Sequence, residues 1–299
     1  MAASDRNDCM TWQLNVAAVQ MRSIGDLTAN LEVCRKLVGE AAAAGAKLVV
    51  LPECFSFLGA REGDKMVAAE VLDGSGPVMQ LLGELCRKHG IWIIGGGTPE
   101  TVPGDAKRAY NTCVVVDPTG KLVTRYRKIH LFDVDIPGGA VLRESDGTVA
   151  GEDLEVVHID PGAQSESGPL HSGGVPVGLS ICYDLRFPEL YRKLTQDLGA
   201  QIVVIPAAFT AHTGAAHWHV LMRARAIENQ VWIVAAAQWG KHNEKRESFG
   251  HSLIVDPWGT IVGERAEGDG VVVHALTGAE VDKRRAQMPC GRHAVLWKR

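Results

Sequence analysis

The 299-residue sequence predicts an α/β fold of a particular kind, a four-layer α-β-β-α sandwich built from two halves on one plan. Two observations carry this. Short apolar runs alternate with amphipathic helical stretches, as in a parallel sheet with crossover helices. The same elements then return in the same order. Gly45-Ala-Lys-Leu-Val-Val-Leu-Pro52 is echoed by Gly199-Ala-Gln-Ile-Val-Val-Ile-Pro206, and Ile91-Trp-Ile-Ile-Gly-Gly-Gly97 by Val231-Trp-Ile-Val-Ala-Ala-Ala237. Val114-Val-Val-Asp-Pro-Thr-Gly-Lys-Leu-Val123 is echoed by Leu253-Ile-Val-Asp-Pro-Trp-Gly-Thr-Ile-Val262. Each half gives a sheet covered by helices on one face, and the two bare faces can bury each other. No Pro/Ser-rich linker or charge run separates the halves. A single domain over residues 14–289 is therefore expected, with an N-terminal extension 1–13 and a C-terminal tail 290–299.

In chain order, Asn15–Gln20 reads as a buried strand. Leu27–Ala44 reads as a helix with Leu27, Leu31, Cys34, Leu37, Val38 and Ala41 on one face and Gly45 as its stop. Lys47–Leu51 is a short strand ending at Pro52-Glu53. Pro77–His89 is a helix closed by Gly90, followed by strand Ile91–Ile94. Asn111–Val116 and Leu122–Arg127 flank the turn signal Asp117-Pro-Thr-Gly120 and form a hairpin. His130–Gln164 reads as loop. The plan restarts at Val175, and a helix is expected over about Ala216–Glu228.

Composition narrows the class. The chain is 46% hydrophobic and 22% charged, as an ordinary globular protein is, and its net charge of -4 argues against a nucleic-acid or membrane-surface partner. No apolar run reaches the length of a membrane span. Residues Met1–Asp8 are acidic without an apolar stretch, so a cytoplasmic location is expected, with mitochondrial targeting left open. Seven scattered cysteines without a C-x-x-C pair argue against a disulfide framework or structural zinc.

Cys182 stands apart from the others. The apolar run Val175–Ile181 ends on it, and Asp184, Leu185, Leu190, Tyr191 and Leu194 can then open a helix. A thiol at such a junction sits among unpaired backbone N–H groups, which favour a thiolate nucleophile. Glu53 follows a buried strand where the second half has only Ala207, so the strand plan does not require it. A buried carboxylate there must meet a cation or have a raised pKa, and either suits a base. Lys128, at the end of the hairpin, can stabilise an oxyanion, and Glu144 can orient that lysine. Arg186, one turn beyond Cys182, either grips a substrate carboxylate or pairs with Glu189. His217-Trp-His219 lies on a helix, where residues two apart diverge and cannot chelate together. No metal or cofactor is expected.

Leu51-Pro-Glu53, Tyr126-Arg-Lys128-Ile-His-Leu-Phe-Asp133 and Ile181-Cys182-Tyr-Asp-Leu-Arg186-Phe-Pro-Glu-Leu190 resemble, in order, the three catalytic blocks of the nitrilase superfamily of carbon–nitrogen hydrolases. The resemblance runs from about Leu14 to Pro289. It implies the same sandwich, a Glu53-Lys128-Cys182 triad with Glu144 as auxiliary glutamate, the Tyr183 backbone N–H in the oxyanion hole, and a homodimer. Ala216-His-Trp218, Arg223–Glu228 and above all Lys241–Gly250 followed by Asp256-Pro-Trp-Gly259 resemble the deaminated glutathione amidase branch. Pro137–Leu142, before Glu144, departs from that pattern. Arg186, Phe209, His217 and Trp218 become the expected contacts to a small amide. The branch implies cleavage of deaminated glutathione to 2-oxoglutarate and cysteinylglycine through a cysteine thioester. An omega-amidase acting on monoamides such as 2-oxoglutaramate, or an N-carbamoyl hydrolase, would use the same triad. A binding or redox-responsive protein would need only a sensitive thiol, so the presence of Glu53 and Lys128 counts against it.

Overall fold

The computed structural model describes residues 12–135, 141–162 and 174–297. The first half runs β1 (Gln13–Gln20), α1 (Leu27–Ala43), β2 (Leu48–Leu51), α2 (Pro77–His89), β3 (Trp92–Val102), β4 (Asp105–Val116) and β5 (Leu122–Arg127). Between the halves lie β6 (Asp133–Asp135), β7 (Val141–Arg143), β8 (Thr148–Val149) and β9 (Val156–Ile159). The segment expected to be loop thus contains four short strands. β6 and β7 pair with each other, while β8 and β9 pair with β4 and β10 outside the segment, which leaves those two without a local signature.

The second half runs β10 (Val175–Leu179), a 3₁₀ turn (Cys182–Arg186), α3 (Pro188–Arg192), β11 (Ile202–Val204), α4 (Ala211–Asn229), β12 (Trp232–Ala235), β13 (Trp239–Lys241), β14 (Glu247–Phe249), β15 (Ser252–Val255) and β16 (Ile261–Arg265). Strand β17 (Gly270–Thr277) and helices α5 (Gly278–Gln287) and α6 (Cys290–His293) complete the described chain.

The repeat is visible in the pairing. β1, β2 and β3 are parallel, followed by antiparallel β4 and β5; β10, β11 and β12 are parallel, followed by antiparallel β15 and β16. Each half gains one antiparallel edge strand, β17 beside β1 and β9 beside β10. Side-chain alternation makes the layers. Val16, Ala18, Leu48, Val50, Ile94 and Val115 share a core with the second sheet. Their neighbours Ala17, Val19, Val49, Leu51, Ile93 and Val114 pack with α1 and α2. Helix α4 covers the far face of the second sheet through Trp218, Met222 and Ala226. The result is the expected α-β-β-α sandwich.

Two helices differ from the reading. The segment after Cys182 is a 3₁₀ turn that breaks at Phe187, because Pro188 cannot continue it and instead starts α3. Helix α4 begins at Ala211, five residues before the sequence suggested. It runs through Gly214, where any Cβ would lie 2.3 Å from that of Phe249. The glycine lets the β14 hairpin lie directly on the helix. Within the tail, α6 is helical, and Trp297 Nε1 donates to Asp197 Oδ1 at 3.0 Å.

Candidate active site

The parallel strands of both halves deliver their C-terminal ends to one cavity of about 650 Å³. Glu53 leaves β2 after Pro52, and Cys54, with φ +59, turns the chain back. The backbone there is fixed by Cys54 N–H donating to Gly97 O at 2.9 Å and Gln238 Nε2 donating to Glu53 O at 3.0 Å. Gly97 has φ +65, and a Cβ on it would lie 2.7 Å from both Glu53 Cγ and Asn111 Oδ1. The last glycine of the Gly95–Gly97 run is therefore needed for close approach to the carboxylate.

Lys128 lies just past β5 and is 2% exposed. Its Nζ donates to Glu53 Oε1 at 3.0 Å and to Glu144 at 2.8 Å (Oε2) and 3.1 Å (Oε1). Burial alone would lower the Lys128 pKa, but Glu144, Glu53 and the Cys182 sulfur outweigh it and hold the ammonium well above the ordinary lysine value. Burial likewise acts to raise the Glu144 carboxyl. The Lys128 charge and hydrogen bonds from Lys128, Phe132 N–H and Asn111 overcome it, and the carboxyl lies below its ordinary value. Residues 137–140 of the departing segment before Glu144 lie outside the described residues.

Cys182 takes φ +46, a left-handed conformation uncommon outside glycine, held by its N–H donating to Pro206 O at 2.8 Å. Asp184 is wholly buried beneath it. Oδ2 accepts Ile181 N–H at 2.8 Å and the Tyr126 hydroxyl at 2.7 Å, while Oδ1 meets His130 Nδ1 at 2.7 Å. One carboxylate thus ties the cysteine turn to the segment flanking Lys128. The surroundings oppose the expected thiolate. Burial pushes the thiol well above the ordinary cysteine value, and the adjacent Glu53 carboxylate adds to this. Lys128 and the Ala208 N–H act in the opposite sense. A short 3₁₀ turn offers too weak a dipole to reverse that balance. Tyr183 occupies its first turn, where backbone N–H groups have no partner within the turn.

Of the expected substrate contacts, Arg186 and Phe209 line the cavity, with the guanidinium 5.1 Å from the Phe209 ring centroid. Arg186 has no ion pair with Glu189 among the described residues; its Nη1 donates instead to His217 Nδ1 at 3.3 Å. His217 is exposed, does not line the cavity, and reaches the site through that bond. Trp218 requires a correction. It is wholly buried, packs at a tilt with its ring centroid 5.2 Å from that of Phe209 and donates Nε1–H to His251 O, so it forms core behind the cavity wall.

The sequence reading missed Asn111, whose Nδ2 bridges Glu53 Oε1 at 2.9 Å and Glu144 Oε1 at 3.1 Å. Lys128 and Asn111 together occupy Oε1 of Glu53. Oε2 accepts the Ala208 N–H at 2.9 Å, and the carboxylate lies beside the Cys182 thiol. A buried thiol, a carboxylate base and a fixed ammonium on one wall are equipped for nucleophilic attack on a carbonyl.

The chain belongs to the carbon–nitrogen hydrolase family, whose model matches residues 15–286. It is an amide-cleaving hydrolase of the nitrilase superfamily. It is 41% identical over 281 residues to the deaminated glutathione amidase of Synechocystis sp. (strain PCC 6803 / GT-S), covering 94% of this chain and 97% of that one. Among solved structures it resembles the C. elegans NitFhit protein (TM-score 0.83, 38% identity, 94% of this chain and 65% of that one). It also resembles Saccharomyces cerevisiae Nit3, a member of branch 10 of the nitrilase superfamily (TM-score 0.79, 31% identity, 93% and 94%).

Proposed function

We propose that this hydrolase cleaves the side-chain amide of deaminated glutathione, releasing 2-oxoglutarate and cysteinylglycine. The observation that carries the reading is the lining of the cavity. Arg186 sits near Cys182, and Arg61, Lys65, Lys245 and Arg246 add positive charge elsewhere on the wall. That suits a substrate with a carboxylate on the acyl side and another on the leaving peptide. Lys245 and Arg246 belong to the β13–β14 hairpin, the segment that most resembles the branch.

In the mechanism, Cys182 Sγ attacks the amide carbon as its proton passes to Glu53 Oε2. Lys128 Nζ and the Tyr183 N–H face the developing oxyanion. Collapse breaks the C–N bond, and Glu53 returns the proton to the departing amine, leaving a thioester on Cys182. Water then attacks the thioester, with Glu53 accepting its proton; the acid leaves and the thiol is restored. Glu144 and Asn111 hold the lysine and the base in place.

Turnover measured side by side on deaminated glutathione, 2-oxoglutaramate and an N-carbamoyl amino acid tests the substrate. The first should show the highest kcat/KM, and a preference for either of the others would overturn the reading. Arg186→Lys should raise KM for oxo-acid amides by about 10-fold or more, as loss of a bidentate charged contact does, and change it little for a neutral amide. Equal losses on both would remove Arg186 as the anchor.

The proposal extends to a homodimer and a cytoplasmic location. Val220 and Ile227 lie exposed on the outer face of α4, which suits a subunit contact. All the described cysteines are free, as in a reducing compartment. Among the described residues no helix is long and apolar enough to cross a membrane. Sedimentation at micromolar concentration should give twice the chain mass of 32.1 kDa.

A further inference from the structure

His217 and His219 diverge on α4, as residues two apart must, and the two imidazoles meet different partners. His217 goes to Arg186; His219 turns the other way. Its Nε2 lies 2.7 Å from Glu264 Oε1, and His251 Nδ1 lies 2.5 Å from the same oxygen. The three ligating atoms fall within 4.8 Å of one another. They come from three separate elements: α4, the residue before β15, and β16.

The cluster is well supported. His251 takes φ +57, a conformation that costs a non-glycine residue on the order of 1 kcal/mol. Its backbone is held there on both sides, its N–H donating to Ala266 O at 3.2 Å and its carbonyl accepting from Trp218 Nε1 at 2.9 Å. The Phe249 ring stacks on its imidazole at 4.2 Å. Glycine would adopt this conformation without strain, so the side chain is what the position retains. All three side chains are about a third exposed or less, with one side open to solvent.

The geometry points to a divalent-metal site, distinct from the cavity, in which His219 Nε2, His251 Nδ1 and Glu264 bind a borderline cation such as Zn²⁺. Two imidazoles and a carboxylate form a donor set suited to zinc, cobalt or nickel, with solvent supplying the fourth position. The metal would take the place of the two shared protons, and each imidazole nitrogen would move from Glu264 Oε1 by under about 1 Å, from hydrogen-bonding to coordination spacing. Placement suggests its consequence. Helix α4 opens at the cavity with Ala211, His212 and Thr213, and the β13–β14 hairpin that carries Lys245 and Arg246 ends two residues before His251. A cation here fastens the helix and the base of the hairpin to β16, which steadies the cationic part of the cavity wall.

Co²⁺ titration of the Cys182→Ala protein tests this, since the reactive thiol is then absent and cobalt reports its own coordination. Visible d–d bands saturating at one equivalent, without thiolate charge-transfer absorption, are expected. Isothermal titration with Zn²⁺ should give one site, weakened at least 100-fold by His219→Ala and by Glu264→Gln, each variant checked for native circular dichroism. Zn²⁺ should raise the melting temperature of the parent and leave both variants unmoved. Absence of saturable binding, a six-coordinate cobalt spectrum, or equal binding in the variants would overturn the assignment. The cobalt spectrum decides the question even if a variant fails to fold.

Discussion

The two halves end their equivalent strands differently. After Leu51-Pro52 the first half places Glu53, and after Ile205-Pro206 the second places Ala207, wholly buried with its N–H donating to Ala236 O. The next N–H, from Ala208, donates across the pseudo-axis to Glu53 Oε2. The shared plan brings strand ends together, and the departures from it carry the chemistry. The first half supplies Glu53 and Lys128; the second supplies Cys182 and the Ala208 N–H. Neither half has a complete site.

The largest expected effect separates base from nucleophile. Glu53→Gln keeps the shape of the side chain but removes the proton acceptor, so kcat should fall by about 10²–10⁴-fold. The same change removes a charge that raises the Cys182 pKa, so the thiolate should form at lower pH than in the parent. Iodoacetamide alkylation followed by mass spectrometry over a pH series should show faster labelling in the slower enzyme. Undiminished turnover would exclude Glu53 as the base. Labelling and turnover falling together would show that the carboxylate activates the thiol at rest.

Lys128 is the next point of attack. Lys128→Met leaves two carboxylates facing each other without a cation, a change expected to cost about 3–5 kcal/mol in denaturant unfolding. Glu144 adds a pH signature. Its folded pKa is depressed, so its contribution is present above the unfolded value near 4.5 and is lost as pH falls through the folded value. The parent should therefore lose stability steeply in that acid window, and Glu144→Gln should flatten the slope. An unchanged slope would place the acid sensitivity elsewhere.

Ala207→Glu asks whether the carboxylate could stand at the equivalent strand end of the second half. Among the described residues no lysine corresponds to Lys128 there, and the position is fully buried, so destabilisation by about 3 kcal/mol or more is expected. Stability near that of the parent would mean that solvent or a cation reaches this strand end.

How much of this was legible in the sequence follows from how local each feature is. Strand alternation, the helix stripe of α1, the Gly90 stop and the strand–turn–strand signal of β4–β5 are set by neighbouring residues, and they were read correctly. The edge strand β9 pairs outside its own segment and left little local trace, whereas the Val271–Val273 run of β17 shows its strand character but not its pairing with β1. The turn after Cys182 shows competition between local signals: its apolar spacing suggested a helix, but Pro188 fixed the break. Trp218 and His219 stood in one motif, yet helical geometry sends one into the core and the other toward Glu264.

Asn111 was hidden for a related reason, and it is the smallest of the expected effects. A polar residue inside a hairpin strand reads as a solvated position, since the alternation of β4 shows which face it takes but not what lies opposite. Its Nδ2 bridges both carboxylates, while its Oδ1 is buried without a hydrogen-bond partner among the described residues. Holding that oxygen unpaired costs stability, so the donor side must compensate. Asn111→Ala should therefore change stability by only about 1 kcal/mol, because one unfavourable atom is lost along with two hydrogen bonds. Its effect on kcat should exceed its effect on KM, since Glu53 would lose the contact that keeps Oε1 engaged and Oε2 toward the thiol. Asn111→Asp makes the sharper test: a third carboxylate beside Glu53 and Glu144 should impair turnover more than alanine does. If the aspartate variant instead matched the parent, the amide donor would have no part in orienting the base.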